Sequence, residues 1–569
     1  PPHKVIDSCS VSVTSRSCSA TALPSALRLR VSSTASSIGT RVTALTVDTL
    51  LLGAATAVYL AITIALGYLG YRRTKSAEDY LLAGRDSHPV IIALSYGATF
   101  ISTSAIIGFG GVAANLGMGL IWLTVFNIGA GILIAFVVFG RRTRTIGQRL
   151  GAVTFPDLMG KCYRSPFMQY GTGLVILAGM PLYTAAILIG GARFIETTLG
   201  VPYATALLGF ALIVAVYVVY GGLIAVMYTD AFQGLIMLVG MSALLVLTYV
   251  YLGGVGAAHR ALDAMTSLVP ANLATQGHLG WTSMPALGSP IWFTLVTTLV
   301  LGVGIGVLAQ PQLVVRFMCA KNDRTLNRAV AVGGPFLLMM TGVAFTVGAL
   351  TNVWFQQTSG QIAVTAAGGN VDAIIPLFIN QAMPDLFIVI FMLTLLSAAM
   401  STLASLYHAM GSALICDVWS RGRACTHSVR ANQVGCVVMM IASVGLAFLM
   451  PESIIARATA MFMGLCASAF LPIFAVAVIS KRPDPVAAKA SFVAGAGVWL
   501  FWTVFVHAAE AKPIGLSQAL FGTPTLLGAP WTVIDPLVFA LPLSGVVILG
   551  VQALRLSSRT PAPGAEPGP

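Results

Sequence analysis

Hydroxyl-bearing residues recur at helical spacing in Ser397-Ala-Ala-Met-Ser-Thr-Leu-Ala-Ser405, and one carboxylate, Asp230, stands among apolar residues far upstream. Ala398, Ser401, Thr402 and Ser405 fall at i, i+3, i+4 and i+7, which is one face of a helix. A hard cation takes several oxygen ligands. Ser401 and Thr402 offer hydroxyls, Ala398 offers a carbonyl, and a broken helix elsewhere releases further carbonyls. The stretch Gly97-Ala-Thr-Phe-Ile-Ser-Thr-Ser104, followed by Gly108, Gly110 and Gly111, reads as such a break, with carbonyls available near Ala98 and Ile101. The pattern suits a small cation. Ser and Thr at this spacing also serve as hydrogen-bonding glue between membrane helices, so spacing alone leaves both readings open.

The elements that must position these groups are membrane helices. Of 569 residues, 57% are hydrophobic and 9% charged, against about 25% charged in soluble chains. Apolar runs of the ~20 residues that a spanning helix needs recur along the sequence. They predict an all-α polytopic membrane protein of about 13 spans, near 46–70, 89–117, 119–140, 167–197, 204–221, 228–253, 289–312, 329–353, 385–416, 433–450, 455–480, 486–508 and 535–554. An ionisable residue among such spans is a functional hypothesis by default, which singles out Asp230.

The net charge of +13 reports topology rather than a ligand. Basic residues fall in alternate loops: Arg72, Arg73, Lys75 and Arg85; Arg141 to Arg164; Arg316, Lys321, Arg324 and Arg328; Arg421, Arg423 and Arg430; Lys481 and Arg482; Arg555 and Arg559. The positive-inside rule makes these loops cytoplasmic, with the N-terminus outside and the C-terminus cytoplasmic. No nucleic-acid partner is implied. The expected partners are a small-molecule solute, a cation and the lipid bilayer, and no obligate protein partner is evident. Eight cysteines and seven histidines form no CxxC pair and no metal-ligand spacing, and the cysteines are expected to be reduced thiols.

Three regions follow. Residues 1–45, rich in Ser, Thr, Arg and Ala, are expected to be a disordered or ill-defined N-terminal segment. Residues 46–555 form the membrane domain, and 556–569 a short cytoplasmic tail. A second interruption lies at Gly302-Val-Gly-Ile-Gly306 and Gln310-Pro311-Gln312. Paired Gly/Pro-interrupted spans point to a site between inverted repeats. Five helices counted from each break give two inverted five-helix repeats, one helix before them and two after.

A membrane enzyme would cluster acid, base or metal-ligand residues at membrane depth, and apart from Asp230 the spans carry almost none. A channel would show a filter loop. A receptor would need an output domain, for which the expected tail is too short.

These residues resemble the sodium:solute symporters over about 46–555. The resemblance rests on Asp79-Tyr80-Leu-Leu-Ala-Gly84-Arg85, Gly221-Gly222-Leu-Ile-Ala-Val-Met-Tyr-Thr229-Asp230 with Gln233, Ala398-Ala-Met-Ser401-Thr402, and Gln310-Pro311 through Arg316-Phe-Met318. Local motifs resemble the pantothenate carriers at 189–203 and the proline carriers at 310–318. Phe100 stands where proline carriers place an Asp, which counts against proline. The resemblance implies a LeuT-like fold and sodium-coupled symport of a small solute by alternating access, in a bacterial-type inner membrane. No cofactor is expected beyond Na+ as coupling ion. It implies a sodium site at Ala98, Ile101, Ala398, Ser401 and Thr402. Some members hold a second sodium, for which Asp230 and Ser405 are the candidates here. Ala404 replaces a hydroxyl those members carry, which leaves a structural or proton-linked role for Asp230 open. The substrate cavity is expected between the breaks, lined by Ser102, Thr103, Ser104, Tyr183, Thr184 and Gln310. With no carboxylate among them, and a helix break presenting N–H groups, the expected solute is a carboxylate, pantothenate-like or monocarboxylate. A proline-type amino acid, or proton coupling on the same fold, is the alternative.

Overall fold

A computed structural model describes residues 49–419, 429–451 and 453–557. The N-terminal segment 1–45, the basic residues Arg421 and Arg423, and the tail beyond residue 557 lie outside the described residues. Among those described there is no strand, only an isolated bridge between Ser87 and Ala320.

The helices are α1 (Thr49–Arg73), α2 (Pro89–Phe100), α3 (Ser104–Leu116), α4 (Met118–Leu150), α5 (Pro166–Leu199), α6 (Tyr203–Tyr251), α7 (Pro290–Met318), α8 (Asp323–Ser359), α9 (Asp385–Trp419), α10 (Val429–Leu449), α11 (Ile455–Ile479), α12 (Pro485–Phe505) and α13 (Leu537–Arg555). A helix satisfies its own backbone in lipid, which is why apolar segments of this length adopt it. Starts are written in the sequence. Pro89, Pro166, Pro290 and Pro485 stand at the first helical turn, where the missing N–H costs nothing. Asn322 and Asp484 cap α8 and α12 through their side chains, satisfying N–H groups that helices leave open.

By length and apolarity, 11 of the described helices can cross a membrane, or 12 when the bent pair α2–α3 counts as one. The thirteen-span partition differs at α6. There the chain runs helically from Tyr203 to Tyr251 but turns at Gly222 (φ 61°, ψ 173°), and Tyr203–Ala215 is a shorter apolar helix. Only glycine occupies that backbone region readily. A Cβ at Gly222 would also strike the Tyr80 ring. Tyr80 sits on a short helix, Ala77–Leu82, closed by a capping box between Ser76 and Asp79. Two residues 142 positions apart, Tyr80 and Gly222, thus meet ring to backbone.

The two interruptions differ in kind. The axis bends by 55° between α2 and α3, around an extended Ile101 (φ −88°, ψ 110°). In α7 the run Thr294–Val303 widens to π-type hydrogen bonding but stays helical through Gly306, and the chain leaves the helix only at Gln310 (φ −69°, ψ 121°), before Pro311. Gly306 lets α7 touch the Met463 backbone of α11; Pro311 opens the last turns of α7 from its first position, where its missing N–H costs no bond.

The core sits around α9, whose most apolar window is 83% buried against 17% for α1. It packs on α2, α5, α6 and α10. Leu212, Val246, Val250, Ile441, Leu500 and Val546 are exposed and face outward, as lipid-facing residues must. Cys162, Cys319, Cys436 and Cys466 are free thiols. Cys416 is disulfide-bonded, contrary to the expectation of reduced thiols throughout.

Candidate functional site

Because α2 stops at Phe100, its last carbonyls lose their helical partners. The hydroxyl face of α9 fills the gap. The Ser401 hydroxyl lies 2.9 Å from the Ala98 carbonyl oxygen and 3.2 Å from that of Ala398. The Thr402 hydroxyl lies 3.3 Å from the Ala98 oxygen, 3.0 Å from that of Thr99, 3.4 Å from that of Ile101 and 3.1 Å from that of Ala398. Ala98, Ile101, Ala398, Ser401 and Thr402 are all essentially inaccessible to solvent. Each hydroxyl carries two lone pairs as well as its proton, so the cluster gathers neutral hydroxyl and carbonyl oxygens within hydrogen-bonding distance of one another. That donor set fits a hard cation of low charge.

Asp230 lies beside this cradle, and its counter-charge comes from the chain. Arg316 on α7 places Nη2 2.9 Å from Asp230 Oδ2, and the two side chains are 1% and 0% exposed. Arg316 also donates from Nε to Ser95 Oγ at 3.0 Å and from Nη1 to the Gln312 carbonyl at 2.7 Å. Its Nη2 further reaches the hydroxyls of Thr99 and Ser405. Ser95 donates to Asp230 Oδ2 at 2.7 Å and Thr99 at 3.2 Å, while Asp230 Oδ1 has no hydrogen-bond partner. A guanidinium thus stands between Asp230 and Ser405, the two residues considered as candidates for a second cation. Charge distribution had put Arg316 in a cytoplasmic loop with Lys321, Arg324 and Arg328. It is instead buried on the last turns of α7. Its place five residues after the Gln310-Pro311 interruption, among apolar neighbours, was the signal available.

Above the cradle a small cavity opens at the bend. It is lined by Ser102, Ser104 and Tyr183 of the expected set, with Phe100, Ile101, Phe109, Asn127, Thr341, Phe345, Thr459 and Met463. Ser104 Oγ lies 2.5 Å from Thr459 Oγ1, and the Tyr183 hydroxyl 3.4 Å from Ser102 Oγ. The other three expected residues turn elsewhere. Thr103 donates to the Ile187 carbonyl at 2.8 Å and Thr184 to that of Met180 at 2.9 Å. Gln310 contacts Met463 Sδ and accepts from Gln312 Nε2 at 2.8 Å, so it supports the wall from behind. No Asp, Glu, Lys, Arg or His lines this cavity. Asn127, Phe109 and Phe345 were not singled out from sequence, because apolar and amide residues on spans look like packing there.

At one end of the bundle, Glu510 bridges His507 and Arg457, whose Nη2 lies 2.9 Å from Glu510 Oε1. Burial alone would lower the His507 pKa, but the Glu510 hydrogen bond and charge raise it above its usual value. Burial pushes the other way on Glu510, and His507 and Arg457 hold its carboxyl below its usual value.

The described residues, all-helical and membrane-spanning with a broken helix at a buried oxygen cradle, have the architecture of a membrane carrier. The model of the sodium:solute symporter family matches residues 80–495, and the chain belongs to that family. It is 29% identical over 480 residues to the sodium/proline symporter of Staphylococcus aureus (strain JH9), covering 82% of this chain and 87% of the relative. The relative from strain NCTC 8325 gives the same figures. Among solved structures, a Na+-coupled sialic acid symporter in a substrate-bound outward-open state superposes with a TM-score of 0.68 at 17% identity, over 91% of this chain and 99% of that one. The fold is shared.

Proposed function

We propose that this protein is a sodium-coupled secondary active symporter that imports a small carboxylate-bearing solute by alternating access. The observation that carries the reading is the meeting of the Ser401 and Thr402 hydroxyls with the Ala98 and Ile101 carbonyls at the bend, beside a cavity that Ile101 also lines. One residue then belongs to both the ion cradle and the solute cavity. A cation held by Ala98, Ile101, Ala398, Ser401 and Thr402 would fix the bent backbone, and with it the start of α3. The N–H groups and dipole at that helix start favour a carboxylate. Sodium falling through 100 mV releases about 2.3 kcal/mol before any concentration term, which is the driving force for uptake.

In this reading α2–α3, α4, α5 and the two parts of α6 on either side of Gly222 form one five-helix repeat. The second, inverted in the membrane, is α7 to α11. α1 precedes them and α12 and α13 follow, so that the two arms of α6 bring the count to thirteen. The chain lies in a bacterial-type cell inner membrane with its N-terminus outside and C-terminus cytoplasmic. Arg316 supplies the charge that a second sodium would bring to Asp230 and Ser405, so one sodium accompanies each solute.

A proline-type amino acid is the second reading of the substrate, favoured by the sodium/proline symporters among the relatives. The test is uptake into proteoliposomes of labelled pantothenate, acetate, pyruvate, proline and glucose, with an inward sodium gradient or with potassium in its place. Sodium-dependent accumulation of a carboxylate supports the reading. Uptake that tracks pH and ignores sodium would overturn it in favour of proton coupling.

A further inference from the structure

We infer that the crevice between α5, α10, α11 and α12 binds an anionic phospholipid of the surrounding bilayer, with an acyl chain in the crevice and the phosphate on Arg457. The site lies apart from the ion cradle and from the cavity at the bend, and the inference stands whatever solute the protein carries.

The crevice has a volume of about 500 Å³, and its wall includes Leu182 of α5, Leu449 of α10, Met461 and Leu465 of α11, and Trp499 and Leu500 of α12. Arg457, Thr503 and Glu510 are its polar exceptions. Leu449 and Leu500 are exposed, and Leu500 stands more than a turn before α12 ends at Phe505, so this rim faces lipid. The depth fits one leaflet. Arg457 lies in the first turn of α11 and Leu465 eight residues further along it, a rise of about 12 Å. Half of the hydrocarbon core is about 15 Å. A chain entering beside Arg457 therefore ends near the middle of the membrane, as an acyl chain does.

The charge at its end selects the headgroup. Arg457 and Glu510 are the charged residues of the lining, and their side chains are 38% and 7% exposed. The accessible charge is the guanidinium. Its Nε and Nη2 donate to Glu510 Oε1 at 3.3 and 2.9 Å, and Nη2 also donates to the Ala509 carbonyl at 2.6 Å, so Nη1 takes part in none of these bonds. His507 binds Glu510 from the other side, so Arg457 is not the sole partner of that carboxylate. Asp535, the remaining acid of the cluster, is buried and does not line the crevice. Basic groups between membrane helices bind anionic lipid headgroups. Ala458 and Met461 line the crevice while Thr459 and Met463 line the cavity at the bend, so one stretch of α11 walls both.

Trp499 in the wall makes the crevice readable, because bromine on an acyl chain quenches a neighbouring indole. The full chain is reconstituted in phosphatidylcholine vesicles, into which phosphatidylglycerol or phosphatidylcholine with brominated chains is titrated. The share of Trp499 is the difference between wild type and Trp499→Phe. Brominated phosphatidylglycerol should quench that share at a mole fraction about fivefold lower than brominated phosphatidylcholine, the factor that one basic side chain supplies. Arg457→Gln should bring the two curves together. Ala178→Phe, at an exposed position of the lining, should weaken quenching by both lipids, and it carries the test should Arg457→Gln fail to fold. Equal quenching by the two lipids in wild type, a preference that survives Arg457→Gln, or quenching untouched by Ala178→Phe would overturn the site. Quenching by a brominated fatty acid but by neither phospholipid would overturn the phospholipid as occupant.

Discussion

Arg316 and Asp230 form a buried ion pair across α7 and α6, with Nη2 and Oδ2 2.9 Å apart. The pair shares Thr99 with the oxygen cradle, since the Thr99 side chain binds Asp230 while its carbonyl accepts from Thr402. Ser405 joins in the same way, contacting Arg316 and donating to the Ser401 carbonyl at 3.1 Å. Any movement of α7 that withdraws Arg316 therefore acts on Thr99 and Ser405, which border the oxygen cradle.

Breaking this pair from one side should be worse than removing it altogether. A buried charge left without its partner costs about 3–5 kcal/mol. Arg316→Met and Asp230→Leu should each lower the thermal unfolding midpoint in detergent more than the double variant does. Additive losses in the double variant would mean that the two residues do not act as a pair.

Ser401→Ala and Thr402→Ala should each weaken sodium activation of uptake by about tenfold or more, the equivalent of one hydrogen-bonding group lost from a buried polar site. The measurement is the sodium concentration for half-maximal uptake. Thr402→Ser, which keeps the hydroxyl, should stay near wild type. An unchanged sodium dependence in both alanine variants would remove the cradle from the coupling mechanism.

Gly222→Ala should destabilise the protein, because its backbone angles (φ 61°, ψ 173°) cost a residue with a side chain about 1–3 kcal/mol and its Cβ would meet the Tyr80 ring. Tyr80→Ala in the same chain relieves only the clash, so the double variant should recover part of the loss in folded yield on size exclusion. Full recovery would show that backbone strain is absent.

The cluster of His507, Glu510 and Arg457, with Asp535 nearby, predicts a pH dependence. The raised His507 pKa means its contribution is complete below the ordinary histidine value of about 6.5 and disappears as pH climbs through the folded value. The lowered Glu510 pKa gives a contribution present above about 4.3 and lost as pH falls through its folded value. Burial pushes Asp535 up to about 6, so its ionisation costs stability as pH rises from its ordinary value of about 3.9 to about 6 and that cost is constant above. Thermal midpoints of wild type and His507→Gln should differ most near pH 5–6 and converge at alkaline pH. A gap of constant size from acid to alkali would assign His507 a packing role only.

Much of the architecture is legible in the sequence because membrane helices carry their own signals. Length, apolarity and a proline in the first turn locate α2, α5, α7 and α12. The i, i+3, i+4 pattern of Ala398, Ser401 and Thr402 correctly places them on one face, since helical geometry leaves no alternative. What was illegible depends on direction and partnership. Thr184 sits one residue from Tyr183, yet its hydroxyl folds back to its own helix. Arg316 obeys the loop-charge pattern by position but is paid for by a carboxylate 86 positions away. At α6 the paired glycines and the Tyr228-Thr229-Asp230 stretch read as a break between two spans, whereas one glycine turns a continuous helix.

The most direct test of the account is the ratio of labelled sodium to labelled solute entering proteoliposomes in the same initial-rate measurement, in wild type and Ser401→Ala. The account predicts one sodium per solute in wild type, with Arg316 holding the second charge position, and loss of linked sodium entry in the variant. Two sodium ions per solute, or a ratio untouched by Ser401→Ala, would contradict it.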